Sequence, residues 1–262
     1  MKTIISLGAG VQSSALALMA AQEEITPMPD LAIFADTQSE PDSVYRWLDW
    51  LETQLPFPVH RVTAGDLGAL AATVHTSKNG NRYTNAQPPA WAFNTSGKPS
   101  PIMRQCTQHF KINVIQREIK RQFGKAEIQQ WIGISLDEVH RMKPSRNERV
   151  TNRWPLIELR MKRWDCLQWM MNHGYPRPPR SACVFCPYQS NREWLRLKTE
   201  ETESFDRAVR FEKEFQLAMT ACGFVGDVYL HPSMRPLETV DFMPDTHQID
   251  LWGNECEGMC GV

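Results

Sequence analysis

Short apolar runs recur along the chain at residues 4–7, 31–35 and 59–62, with another at 128–134. Runs of this length, bounded by glycine, proline or polar residues, predict buried strands. Between the second and third runs, Val44, Trp47, Leu48 and Leu51 repeat at helical spacing across residues 41–55. Residues 112–123 and 164–171 predict further helices, the last closed by His173-Gly174. Strand alternates with helix, which predicts an α/β fold: a doubly wound, mostly parallel sheet with helices on both faces. Such sheets bind ligands beyond the C-terminal ends of their strands. Residues 8–14 and Asp36-Thr37 both fall at such ends.

The alternation breaks at residues 75–105, which carry Lys78-Asn79-Gly80-Asn81, Gln87-Pro88-Pro89 and Lys98-Pro99-Ser100-Pro101. A loop that long in a compact domain is functional or disordered. Tyr83, Trp91 and Phe93 argue against disorder and predict an insertion that covers a substrate or stacks on a base. Residues 175–179 read as a rigid connector, and residues 199–219 as one charged helix with Phe205, Val209 and Phe215 among its apolar positions. Beyond residue 230 periodicity fades into an irregular tail ending Glu255-Cys256-Glu257-Gly258-Met259-Cys260-Gly261. The expected organisation is a domain over residues 1–190, with an extension over 191–262 packed on it.

Net charge is −1, yet residues 104–163 hold 14 Lys and Arg against 6 Asp and Glu, while residues 199–262 hold 4 against 13. A basic middle suits an anionic ligand, nucleotide or nucleic acid; the plainer alternative is that the two segments neutralise each other in the fold. No apolar run approaches the roughly 20 residues that span a bilayer, and the N-terminus runs directly into strand pattern. The expectation is a cytoplasmic protein with no signal peptide and no membrane contact. Its seven cysteines then point to metal binding or catalysis rather than disulfides.

Two segments carry chemistry. After the first strand come Gly8, Ala9 and Gly10, then Gln12, Ser13 and Ser14 just before an apolar helical run. Such a turn aims free N–H groups and the positive end of a helix dipole at an anion. It is no Walker loop, because no lysine precedes the hydroxyl residue, and the same pattern also suits an ordinary strand-to-helix turn. The second segment is Cys183-x-x-Cys186, in which two thiolates on a tight turn can reach one metal; the alternative is a buried, unligated pair. Cys166 and Cys222 lie on helical stretches and read as core.

In sequence order these segments resemble the adenine nucleotide alpha hydrolase (PP-loop) superfamily and, within it, the phosphoadenosine phosphosulfate (PAPS) reductase family. The glycine loop looks like that family's pyrophosphate loop; the superfamily's usual Asp before the serine is Gln12 here, similar to the sulfonucleotide-reductase form. Asp36-Thr37 with Pro41 and Tyr45 looks like its Asp-Thr segment, with Gln38 where glycine is usual. Cys106-Thr107-Gln108-His109-Phe110-Lys111 is similar to the cysteine-led segment opening the next helix. Gly133, Glu138 and Arg141 match a Gly-x-Arg-x-x-Glu/Gln-Ser-x-x-Arg pattern, with Ser135 in place of its first Arg. Pro155-Leu156-Ile157-Glu158, Gly174-Tyr175-Pro176 and Cys183-x-x-Cys186 follow in the family's order, so the likeness covers about residues 1–190.

The resemblance implies a Rossmann-like, PP-loop type fold. In it Ser6, Gly8, Ala9, Gly10, Gln12, Ser13 and Ser14, with Asp36, Lys111, Gly133, Glu138 and Arg141, hold an adenine nucleotide: PAPS, or ATP with Mg²⁺. The resembled iron–sulfur members join the cysteine-led segment to a Cys-x-x-Cys, which makes Cys106, Cys183 and Cys186 implied metal ligands. Cys256 or Cys260 would complete a set for a [4Fe–4S] cluster, with zinc as the alternative; a three-cysteine cluster with one open iron is the other arrangement. Glu255-Cys256 resembles the Glu-Cys-Gly ending of sulfonucleotide reductases, so Cys256 and Cys260 are also the candidate nucleophiles.

Three functions are thereby open. One is a PAPS reductase-like oxidoreductase whose thiol attacks a sulfonucleotide and releases sulfite, with a thioredoxin-like protein as reductant. Another is an ATP pyrophosphatase-type thiolase that adenylates a nucleic-acid base or an amide and inserts sulfur, with residues 104–163 holding the nucleic acid. The last is a zinc-stapled nucleic-acid-binding module without catalysis. His109 and His140 lie beside motif residues and receive no role.

Overall fold

The computed structural model describes residues 1–242. Cys256 and Cys260 lie outside the described residues. Along the chain run β1 (Lys2–Leu7), α1 (Val11–Ala21), β2 (Leu31–Asp36), α2 (Asp42–Gln54), β3 (Val59–Thr63) and α3 (Leu67–Ala72). Four three-residue strands follow: β4 (Val74–Thr76), β5 (Arg82–Thr84), β6 (Trp91–Phe93) and β7 (Pro99–Pro101). A π-helical turn over Thr107–Ile112 leads into α4 (Asn113–Phe123), then β8 (Ile128–Ile132), a 3₁₀ turn over Leu136–Arg141, and β9 (Val150–Arg153). The rest is helical: α5 (Pro155–Glu158), α6 (Arg163–Asn172), α7 (Asn191–Glu200) and α8 (Thr202–Ala221).

The fold is α/β and doubly wound. Five parallel strands form the central sheet in the order β3-β2-β1-β8-β9. Both faces are covered, which is why β1 and β2 read as unbroken apolar runs rather than alternating ones. On one face Ile5, Leu7, Ala32 and Phe34 pack with α1, α2 and α6; on the other Ile4, Ile33 and Ala35 pack with Ile115 and Ile119 of α4. Side chains two apart share a face, so each strand feeds both layers. Burying one such Ile or Phe contributes about 1.5–3 kcal/mol. Helix α1 is buried over Val11 to Ala20 because it lies between the sheet and α6, which places polar Gln12, Ser13 and Ser14 in the interior.

Several expectations change. Residues 75–105 are no plain loop: β4 pairs with β5 and β6 with β7 as antiparallel hairpins. The strand expected over 128–134 ends at Ile132. Strand β9 had no apolar signature, because its sequence Val-Thr-Asn-Arg sits at the sheet's edge. The helix expected over 199–219 is two helices, parted where Glu201 leaves helical geometry at φ −131° and ψ 57°. Helices α7 and α8 bury Trp194, Phe205, Phe211 and Phe215 against Leu67, Phe110, Val184 and Phe185. Residues 191–242 thus share one core with the cysteine turn.

Candidate functional site

The order of sheet strands reverses between β1 and β8, and a doubly wound sheet opens its ligand crevice at that point. Residues 8–14 leave β1 there, and residues 133–141 leave β8 beside them. The loop is wound tightly: Ala9 adopts φ 58°, a left-handed turn that aligns successive N–H groups into an anion-binding concavity. Gly8 N–H donates to Ser13 Oγ at 3.1 Å, and Ser14 N–H to the Gly10 carbonyl at 3.0 Å. The N–H groups of Ala9, Gly10, Val11 and Gln12 meet no acceptor among the described residues, although all four residues are buried. Buried N–H groups are nearly always paired, so this cluster at the positive end of α1 offers its donors to an acceptor of the kind that an anion can supply.

The loop after β8 is fitted to it. A Cβ on Gly133 would lie 2.8 Å from Ser13 N and 2.9 Å from Ser13 Cα, so only glycine lets the two segments touch. Gln12 Nε2 donates to Glu138 at 3.0 Å and to Ser135 Oγ at 3.3 Å. Arg141 donates in turn to Glu138. Arg141 is therefore tied to the glycine loop through Glu138 and Gln12, whose own Oε1 is buried without a partner. The corner is enclosed rather than open, with every residue from Gly8 to Ser14 buried. Ser6 is buried at the end of β1. Ser14 serves structure rather than ligand: its Oγ accepts from Trp47 Nε1 at 3.0 Å, because α1 faces α2 there.

Asp36 and Thr37 leave the adjacent strand end. Asp36 accepts from the Gln38 N–H at 2.7 Å and from the Tyr45 hydroxyl at 2.8 Å. Gln38 sits at φ 57°, in the left-handed region that favours glycine. The Cys-x-x-Cys turn docks on this loop: Val184 N–H donates to the Ser39 carbonyl at 2.7 Å, and Thr37 Oγ1 lies 3.2 Å from Cys183 Sγ.

Cys106, Cys183 and Cys186 line one cavity of about 40 Å³, together with Thr37, Arg104 and Lys111. Cys106 reaches it from the start of the π-helical turn and Lys111 from its end. Lys111 Nζ lies 3.7 Å from Glu40 Oε1, and Glu40 Oε2 accepts from Ser181 Oγ at 3.3 Å. Burial works against the charge on Lys111, yet Glu40 and then the three thiols outweigh it, and its pKa stands above the ordinary lysine value. Burial, then Glu40, push the Cys183 thiol far up, with Lys111 pulling the other way. Burial, then Cys186, raise Cys106, against Lys111 and Arg104. Cys106 and Cys183 thus hold their protons more firmly than a free cysteine does, beside a retained cation. A bound metal would remove those protons, as thiolate ligation requires.

The donor set suits a thiolate-bound metal in kind: three cysteines from two segments face one space. Among the described residues, however, no group of three or more His, Cys, Asp or Glu side chains stands close enough to hold one ion, and Cys260 lies outside them. Cys166 is core, as expected, on α6. Cys222 is not core: it is half-exposed at the end of α8 and lines a separate groove. Sequence reasoning missed Glu40 and Arg180. Both are buried, and Arg180 has Nε and Nη1 without hydrogen-bond partners while Nη2 donates to the Tyr188 carbonyl at 3.2 Å. The one available signal was the position of Ser39-Glu40 directly after the Asp36-Thr37 strand end.

Fold and site together define a doubly wound α/β protein with, at its switch point, a loop of N–H groups unpaired among the described residues, and a thiol-lined cavity one strand away. Compared with known proteins, the chain matches no family model, and no curated protein matches it. No helix among the described residues is long and apolar enough to cross a membrane.

Proposed function

We propose that the chain is an enzyme of sulfur chemistry that binds an adenine nucleotide, PAPS or ATP, at the β1–β8 corner. The observation that carries this reading is the run of buried, unpaired N–H groups at the start of α1, tied through Gln12 and Glu138 to Arg141. Those groups supply hydrogen bonds and fixed positive charge to phosphate oxygens, and Arg141 a further cation. Because the corner is enclosed, each such contact acts in a low dielectric. The thiol cavity opens beside Thr37, on the same edge of the sheet as the glycine loop.

In the reductase form, a thiolate of the tail attacks the sulfonate sulfur, the S–O bond to the nucleotide breaks and adenosine 3′,5′-bisphosphate leaves. A reduced thioredoxin-like dithiol then attacks the resulting S-sulfocysteine at the cysteine sulfur, sulfite leaves, and its second thiol frees the tail thiol as the thioredoxin disulfide forms. Lys111 offsets negative charge near the sulfur. The convergence of Cys106 with Cys183 and Cys186 favours a second form, a thiolase. There an oxygen of a nucleic-acid base or amide attacks the α-phosphorus of ATP and pyrophosphate leaves; a sulfide-level donor then adds at that carbon and AMP leaves with the oxygen. A [4Fe–4S] cluster or zinc held by Cys106, Cys183 and Cys186 would supply thiolate-bound metal chemistry in this cavity. What the chain itself does there is to hold three thiols around the Lys111 cation and keep bulk water out.

Product analysis tests both forms. Purified protein incubated with PAPS and a reduced thioredoxin should release sulfite if it is a reductase; incubated with ATP, Mg²⁺ and nucleic acid it should release pyrophosphate if it is a thiolase. Neither product with either nucleotide would rule out the enzyme and leave the zinc-stapled module.

A further inference from the structure

A groove of about 620 Å³ lies outside the site described above, between the β4–β5 hairpin and the end of α8. Its lining combines two aromatic rings, Tyr83 and Phe224, with one guanidinium, Arg82, and contains no carboxylate. Gln87, Gln105 and His109 also line it. The side chains of Arg82, Gln87, Gln105 and His109 have no hydrogen-bond partner among the described residues, so their donors and acceptors are unspent.

We infer that this groove binds a nucleoside phosphate unit, presented as one unpaired base of a single-stranded nucleic acid. A planar, uncharged base offers the ring face that Tyr83 can stack on, as single-strand binders commonly use. Its edge carries alternating donors and acceptors, which the two glutamine amides match in either sense. The attached phosphate meets Arg82, and no carboxylate repels it. The size is that of a small-ligand site.

Position gives the groove its meaning. Gln87 and Gln105 line it, while their chain neighbours Pro88 and Cys106 line the thiol cavity. The Gln105 N–H donates to the Gln87 carbonyl at 3.0 Å, which holds these two walls together. The groove and the thiol cavity thus share the walls formed by residues 87–88 and 105–106. The inference names the substrate class for the thiolase form; it rests on that reading for what happens to the base, and on the groove alone for binding.

Binding is measured by fluorescence anisotropy with a labelled single-stranded 12-mer, RNA and DNA in parallel, on the intact protein. The wild type should bind, and Tyr83→Ala should weaken binding about tenfold. Arg82→Ala should weaken it and lower the salt slope by about one. Phe93→Ala, which removes a still more exposed ring outside the groove, should bind as wild type. Tyr83 and Arg82 are exposed, and unchanged urea midpoints will show that the variants fold. Uridine monophosphate competing as well as the 12-mer, with the same Tyr83 dependence, would assign the groove to free nucleotides. No binding, or binding indifferent to both Tyr83 and Arg82, would overturn the inference. Tyr83-dependent binding without sulfite or pyrophosphate release would keep the groove and remove the enzyme.

Discussion

Burial works against the charge on Lys111, but Glu40 chiefly outweighs it, and the lysine pKa stands above its ordinary value. The same charges set the thiols in opposite directions: Glu40 raises Cys183, and Lys111 lowers it. In metal-free protein, Glu40→Gln should therefore speed iodoacetamide labelling of Cys183, and Lys111→Met should slow it, each by about threefold or more. Equal rates in the two variants would show that these charges do not govern the thiols. Lys111→Met also leaves Glu40 buried without its cation, at a cost of about 3 kcal/mol, which Glu40→Gln in the same chain should largely restore. Gln38 is strained at φ 57°; Gln38→Gly should raise stability by about 0.5–1 kcal/mol in urea denaturation. Neither effect was legible beforehand. The sequence names Gln38 but does not show that its backbone adopts a left-handed conformation.

The junction between the loops after β1 and β8 depends on one missing methyl group. Gly133→Ala would press a Cβ against the Ser13 backbone at 2.8 Å, and backbone cannot yield as a flexible side chain does. The expected outcome is a loss of about 1–3 kcal/mol of stability, read by urea denaturation, and weaker nucleotide binding from a displaced loop. A second junction ties α4 to β3. Glu118 accepts from Arg121 and Gln122 and meets His60 Nδ1 at 2.7 Å, and the Arg121 guanidinium chiefly holds its pKa at about 2, below the ordinary 4.5. A depressed carboxyl stabilises the fold above its unfolded pKa. That contribution is present above pH 4.5 and fades as pH falls toward 2. Glu118→Gln should flatten the acid loss of stability across this window; an unchanged acid profile would contradict it. Strands buried on both faces were readable from apolar runs, and α2 from its spacing. The polar edge strand β9 and the three-residue hairpins were not, since such strands are too short to show a period.

Across the whole molecule, the C-terminal helices complete the core beneath the cysteine turn rather than forming a separate body. Phe215 is 1% exposed and stacks on Phe211, which itself stacks on Phe185 beside Cys186. Phe215→Ala should cost about 3–5 kcal/mol and shift one cooperative unfolding transition; two separate transitions would mean that residues 191–242 fold apart from the sheet. At this scale the sequence was informative about which segments reach the C-terminal edge, because the glycine loop and Asp-Thr segments follow strands and the cysteine-led segment opens a helical turn; the Cys-x-x-Cys turn joins them only through its docking on the Ser39 carbonyl. It was silent on Glu40, Arg180 and the groove, which arise only where segments distant in the chain pack together. The central claim is that the β1–β8 corner takes the phosphates of an adenine nucleotide, and calorimetric titration of PAPS and of ATP into wild type and Arg141→Gln tests it most directly. Saturable binding of one nucleotide by the wild type, weakened about tenfold in Arg141→Gln, is the predicted result; no heat with either nucleotide, or binding that ignores Arg141, would contradict it.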